Sequence, residues 1–366
     1  MERRSFLKKA GLGVAAAGAA TVTAPVIAQD GPTVRWRMAT SFPRNLPALY
    51  GAATRFSEYV NKMTDGKFQI DVFPAGEIVP AFEVLDAVSN GTVQCGHTCG
   101  YYYFGKKPAY CFDTAVPFGL TARQMTAWLI EGNGMKLLRE LFAEVNVVNF
   151  PLGNTGAQMG GWFRKEIKSL DDLKGVKMRT AGFAGEVLSK IGVVPQQLAG
   201  GDVYPALEKG TLDAVEFVGP FDDEKLGFVK VAPYYYYPGF WEGGPAVSLY
   251  TNKDEYEKLP EVYKAVLETA SFRATNDMLA IYDFNNATSL RNLIAEGAIL
   301  REFPRDILEA AYKATAELYK EYSEKDEMFK RLHDDYMAYR NSVAPWFNVL
   351  ETSYTRFLAY AINRLS

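Results

Sequence analysis

Five polar side chains have the types and settings needed to hold a small anion beside a hard cation. In KGVKMRTAGFAGEVLSKIG (174–192), Val176 and Met178 alternate with Lys177 and Arg179, and the small residues Thr180, Ala181 and Gly182 precede a helical run. An arginine at the carboxyl end of a strand, followed by small residues and a helix N-terminus, can make a two-point contact with a carboxylate. In LDAVEFVGPFDD, Glu216 stands among Val215, Phe217 and Val218, and a carboxylate there is costly to bury unless it is paired or metal-bound. Glu242 follows Trp241 in YYYYPGFWEGGPAVS, while Asn154 and Gln158 are neutral oxygen donors flanked by glycines in GNTGAQMGGWF. Oxygen ligands of these kinds suit Na⁺ or Ca²⁺ and not zinc or copper. A direct Arg179–Glu216 salt bridge accounts for two of these residues without any ligand, and spacing does not choose between the two readings.

The elements that must position these residues alternate between strand and helix. TVRWRMATSF sets Val34, Trp36 and Met38 against Arg35 and Arg37, a half-buried strand. An amphipathic helix follows, LPALYGAATRFSEYVNKMTDG, ended by Gly66; then come the strand KFQIDVF, the helix AFEVLDAVSNG and the strand TVQCGHT. This order predicts a parallel-type α/β lobe. A second set contains the strands NVVNFPLG, GAQMGGWFRK and GVKMRTA, then a helix, the segment VVPQQLA, the helix DVYPALEKG and the strand TLDAVEFVG. DAVSNGTVQCG (86–96) aligns with PALEKGTLDAV (205–215), matching Gly91 to Gly210 and Thr92 to Thr211. One helix–glycine–strand unit in each half is what two similar lobes require, although a glycine helix cap explains the turn by itself.

From Asp254 the chain turns helical, and the run from Glu261 to Gly297 is long enough to lie across both lobes as a strut. AILREF is one more strand, and the helices after Pro304 are predicted to separate at Pro345. The last helix carries Phe347, Leu350, Tyr354, Phe357 and Ala361 on one face. That stripe packs either on its own body or on a second subunit.

At 366 residues the chain is long for a single core, so two lobes are the default. The net charge of −3 excludes a nucleic-acid footprint. Residues 1–28 have a basic start, an Ala/Gly-rich apolar run and a cleavage-like Val26-Ile27-Ala28, so the mature chain is expected to start near Gln29. Arg3-Arg4-Ser5-Phe6-Leu7-Lys8 resembles a twin-arginine export signal, with Glu2 replacing the usual Ser or Thr. Gly11, Gly13 and Ala16 match a dinucleotide fingerprint, but no strand precedes them. Cys95, His97 and Cys99 in CGHTC fit no common zinc spacing, and a Cys99–Cys111 bridge would leave an odd thiol.

The whole mature chain resembles the solute receptors of TRAP (tripartite ATP-independent periplasmic) transporters, in the branch that binds 2-oxo acids or lactate through a metal cation. GVKMRTAG, ALEKGTLDAVEFVGPFDD, YYYYPGFWE, NTGAQMGGWF and CGHTCGYYYFGKKP carry the likeness. It implies an α/β, two-lobed periplasmic binding protein fold with crossing strands, a long connecting helix and a C-terminal helical extension. The implied division is an export signal at 1–28, lobe I at 33–152 plus 245–290, lobe II at 153–244 plus 291–340, and a C-terminal helix at 341–366.

By the same resemblance, Arg179 falls on the arginine that grips the ligand carboxylate. Gln158, Glu216, the backbone carbonyl of Phe217 and Glu242 fall on the positions that ligate Na⁺ or Ca²⁺, and Tyr101, Asn154 and Phe42 lie around the organic ligand. Family members often carry Trp where Phe217 stands, and the cysteines around His97 are untypical. Integral-membrane transporter subunits and a homodimer exchanging its last helix are implied as partners, in the periplasm. Other ligands within the family are a dicarboxylate, a sugar acid or an aromatic acid. A secreted enzyme is the reading from another class, but the chain offers only two histidines and no G-x-S-x-G or H-E-x-x-H motif.

Overall fold

The computed structural model describes residues 31–364; the export signal expected at residues 1–28 lies outside them. In chain order the strands are β1 (Val34–Thr40), β2 (Phe68–Phe73), β3 (Cys95–Thr98), β4 (Val147–Asn154), β5 (Gly161–Phe163), β6 (Lys177–Arg179), β7 (Val194–Gln196), β8 (Ala214–Val215), β9 (Tyr234–Tyr237), β10 (Ala246–Asn252) and β11 (Ile299–Glu302). They form two sheets, β2-β1-β3-β10-β4 and β11-β9-β5-β8-β6-β7. In β1 the alternation buries Trp36 and Met38 against Phe56 of the first helix and Phe68 and Ile70 of β2, the burial that period-two patterning dictates.

The chain leaves the first sheet after β4 and returns to it between β9 and β10. The two crossing segments run side by side. Thr155 N–H donates to the Pro245 carbonyl at 3.2 Å, Gln158 N–H to Glu242 at 3.1 Å, and Gly239 N–H to Gln158 at 3.0 Å. Gly244 cannot carry a Cβ, because the backbone of Thr121 and Ala122 occupies that space.

The long helix Glu261–Ala295 joins the halves from behind. Its first half buries Tyr263, Leu267, Ala270 and Ala274 on the first sheet. Farther along, the Tyr282 hydroxyl donates to Asp222 at 2.5 Å and Asn286 Oδ1 accepts from Phe221 N–H at 3.0 Å. Gly91 (φ +79) and Gly210 (φ +74) both end helices, and a strand starts four residues after each, at Cys95 and Ala214. The aligned sequence units are therefore equivalent in structure.

Two expectations need correction, and one open alternative narrows. TLDAVEFVG is a strand only over Ala214–Val215, so Glu216 lies just past its end. The helical run after Pro304 breaks at Asp326, not at Pro345. Asp326 is extended (φ −137, ψ 112) and its side chain accepts from the N–H groups of Met328 and Phe329, capping Glu327–Phe347. That side-chain cap ends one helix and starts the next, whereas Pro345 forfeits one N–H within a helix that runs on into a π-helical turn, Asn348–Thr352, and the helix Ser353–Arg364. Finally, the terminal stripe packs on its own body at Phe347, under the Arg123 guanidinium, while Leu350, Tyr354 and Phe357 are 48%, 66% and 64% exposed.

Cys95, Cys99 and Cys111 are free and buried, with no Cys99–Cys111 bridge. His97 is a core residue held between the Thr40 hydroxyl and the Leu152 carbonyl.

Candidate ligand and cation site

Three parallel strands, β7, β6 and β8, end together. Arg179, the last residue of β6, is paired with Gln196 of β7 and Val215 of β8. Ligands in α/β sheets bind outside such carboxyl ends. The guanidinium is buried: Nη1 donates to the Glu216 carbonyl at 2.6 Å and to its carboxylate at 3.4 Å, and Nε donates to the Leu198 carbonyl at 3.2 Å. None of these three bonds uses Nη2. The Phe217 ring lies over the guanidinium, 5.3 Å from its carbon.

The small residues after Arg179 let the two halves meet. Gly182 has φ +61, and a Cβ there would come within 2.6 Å of the Tyr101 Cβ. Only glycine adopts that conformation and leaves that space without strain.

The crossing segments supply the remaining oxygens. Gln158 Nε2 donates to Thr155 Oγ1 at 3.0 Å, which fixes the amide and leaves Oε1 as its acceptor end. Gln158 Oε1, Glu216 Oε1 and Glu242 Oε2 are buried and have no hydrogen-bond partner. Such atoms are rare in folded proteins and call for an explanation.

Charge makes the same point. Burial, together with the negative charges of Glu242 and Asp223, raises Glu216 well above the carboxylate range, and Arg179 only partly opposes this. Burial pushes Glu242 up to about 7 against the downward pull of Arg179 and the Tyr101 hydroxyl. Two buried carboxyls and one arginine cannot hold both negative charges comfortably, so an added cation would relieve the site.

Among the described residues no three His, Cys, Asp or Glu side chains cluster to hold a metal ion. The unpartnered oxygens of two carboxylates and one amide are of the type that suits a hard cation.

The other expected residues divide. Tyr101 borders Glu242. Asn154 has both ends of its amide on the main chain, donating to the Gly244 carbonyl and accepting from Gly156 N–H, each at 2.9 Å. It shapes the crossing and keeps one Nδ2 hydrogen for anything else. Phe42 packs on His97 (5.2 Å between centroids) and on Tyr102 (6.5 Å), which in turn touches Tyr101 (5.0 Å). It therefore stands one ring behind Tyr101. Thr155, Thr180 and Trp241 were not foreseen. Thr180 Oγ1 and Trp241 Nε1 are buried and unpartnered beside Arg179 and Glu242 in sequence. Thr155 was legible as a hydroxyl three residues before Gln158.

Two α/β halves joined by paired crossings, with a charged site buried between them, define a solute-binding protein. Residues 38–326 match the family described as bacterial extracellular solute-binding protein, family 7, and the chain belongs to that family. A monocarboxylate 2-oxoacid-binding periplasmic protein of Nostoc sp. is 46% identical over 98% of this chain and 99% of its own length. A TRAP transporter solute-binding protein from Bordetella bronchiseptica, a dimer with copurified calcium and picolinate in one active site, is 49% identical. The match covers 92% of this chain and 100% of that one with a TM-score of 0.90. A TRAP periplasmic solute-binding protein from Pseudoalteromonas atlantica, with sodium and pyruvate bound, is 37% identical over 88% of this chain and 99% of its own, with a TM-score of 0.86.

Proposed function

We propose that the protein is the periplasmic receptor of a TRAP transporter and captures a small 2-oxo or 2-hydroxy monocarboxylate, of the pyruvate, 2-oxobutyrate or lactate kind, together with Na⁺ or Ca²⁺. The observation that carries this reading is the trio of buried, unpartnered oxygens on Gln158, Glu216 and Glu242 next to a buried arginine. The 2-oxoacid named for the Nostoc relative and the pyruvate and sodium of the Pseudoalteromonas protein support it.

In this reading Arg179 takes the ligand carboxylate. Gln158, Glu216, the Phe217 carbonyl and Glu242 would hold the cation, and Tyr101 and Asn154 would border the organic part, with Phe42 backing Tyr101 through Tyr102. The cation supplies positive charge that the ligand's carboxylate and its 2-oxygen can share. A monocarboxylate offsets Arg179, so one ionised glutamate calls for Na⁺ and two call for Ca²⁺. The ligand joins residues from both halves and thereby favours the closed form. Membrane subunits receive the ligand, the exposed terminal helix pairs two copies, and the twin-arginine signal exports the chain.

A second reading, an aromatic chelating acid, draws on the picolinate of the Bordetella protein. It keeps the same pairing of a carboxylate with a neighbouring donor atom. Calorimetry with calcium present tests both: pyruvate, lactate or picolinate should bind, and acetate or butyrate should not. Equal affinity for pyruvate and acetate rejects the chelation reading.

A further inference from the structure

Residues 196–201 touch the arginine, the wall beside it and the opposite half of the molecule. The Gln196 carbonyl accepts from Thr180 N–H at 3.2 Å and the Leu198 carbonyl from Arg179 Nε at 3.2 Å. Between them Gln197 reaches across the cleft, its Nε2 donating to the Tyr102 carbonyl at 3.1 Å. Tyr102 sits on the short 3₁₀ turn Gly100–Tyr103 that follows β3 of the first sheet. At the far end, Gly200 heads the helix Gly200–Glu208. A Cβ there would lie 3.0 Å from the Phe217 ring and 4.0 Å from Pro43 of the first half.

We infer that residues 196–201 are a strap that fastens the two halves over bound ligand, and that Gln197 is a positioning residue that holds Arg179 in its gripping pose. The inference rests on Arg179 being the carboxylate grip. Leu198 orients the guanidinium through Nε, so whatever moves the strap turns the fork. Gln197 pins the strap to Tyr102 only when the halves have met. Its loss therefore falls on ligand release and not on encounter, since encounter precedes closure. The bond is neutral and solvent-exposed, which suits a fastening that must open again, and an exposed glutamine can be replaced without disturbing a core.

Stopped-flow tryptophan fluorescence of the full mature chain with pyruvate and calcium tests this. Gln197→Ala should raise the release rate about threefold to tenfold and leave the association rate within about twofold. Gln197→Glu, the same shape with an acceptor facing the Tyr102 carbonyl, should release faster still. Gln197→Lys restores a donor of similar reach and should recover most of the loss. Release rates within about twofold of wild type for both Gln197→Ala and Gln197→Glu overturn the strap while leaving the receptor reading intact. No pyruvate signal from the wild type overturns the receptor reading, and the strap with it.

Discussion

Arg179 Nη1 binds Glu216 twice, through the main-chain carbonyl at 2.6 Å and through the carboxylate at 3.4 Å. The arginine is thus both the partner of a buried acid and, through its uncommitted Nη2, a group still able to receive one. The salt bridge is present in the fold, and it leaves Nη2 available for the proposed ligand grip.

Arg179→Ala should abolish pyruvate binding, by about a hundredfold or more, because two charge-assisted hydrogen bonds are lost. It should also cost about 1–3 kcal/mol of stability by leaving the buried Glu216 main-chain carbonyl without its donor. Calorimetry and urea unfolding read the two effects separately, with circular dichroism confirming the fold. Affinity within a few-fold of wild type would remove Arg179 from the site.

Glu242→Gln keeps the shape and an oxygen donor but removes one negative charge. Calcium affinity should fall about tenfold or more while sodium affinity changes little, since the site then balances a single charge. Titration of the apo protein with each ion measures the ratio. An unchanged calcium affinity would show that Glu242 is not an ionised ligand.

His97, a core residue bonded to the Leu152 carbonyl, gives a pH dependence of its own. Burial lowers its pKa from 6.5 to about 3 in the folded state. The unfolded chain therefore takes up this proton first, and stability held above about pH 6.5 is lost as pH falls toward 3. At pH 5.5 the loss from this group is about 1.4 kcal/mol. Asp113, Asp222 and Asp223, raised mainly by burial to about 6, 6 and 7, slope the other way, so the wild-type curve alone is mixed. Comparing His97→Gln with wild type by urea unfolding at pH 7.5 and 5.5 isolates the histidine. The variant should lose less stability on acidification, and parallel losses would contradict the assignment.

Phe357→Glu should weaken self-association. Phe357 is 64% exposed on a helix whose neighbouring apolar side chains are also exposed, and covering one such ring contributes about 1.5–3 kcal/mol. Light scattering across a concentration series should show a dimer for wild type and dissociation for the variant, with pyruvate affinity retained. A wild-type monomer at high concentration would sink the pairing of copies.

The strands, the long helix and the burial of Arg179 and Glu216 were legible because local physics fixes them. Trp36 and Met38 alternate with charges, and an acid among Val215, Phe217 and Val218 has few explanations. The break at Asp326 was missed because an N-cap inside a polar helical run looks like one more charged residue, while Pro345 advertises a break it does not make. The two main-chain bonds of Asn154, to Gly244 and Gly156, were not legible, because the Gly244 partner is far away in sequence. The strap was invisible for the same reason, since Gln197 and Tyr102 meet only once both halves are folded.

The helix Glu261–Ala295 is seated on one sheet by its leading half and bonded to the segment after β8 through Tyr282 and Asn286. Any swing of one half against the other would therefore have to bend or twist this rod, so the helix cannot act as a passive axle. At Met278 the rod lies hard against β4, where Gly153 leaves room for the thioether, so such a bend would be felt where the chain begins its first crossing.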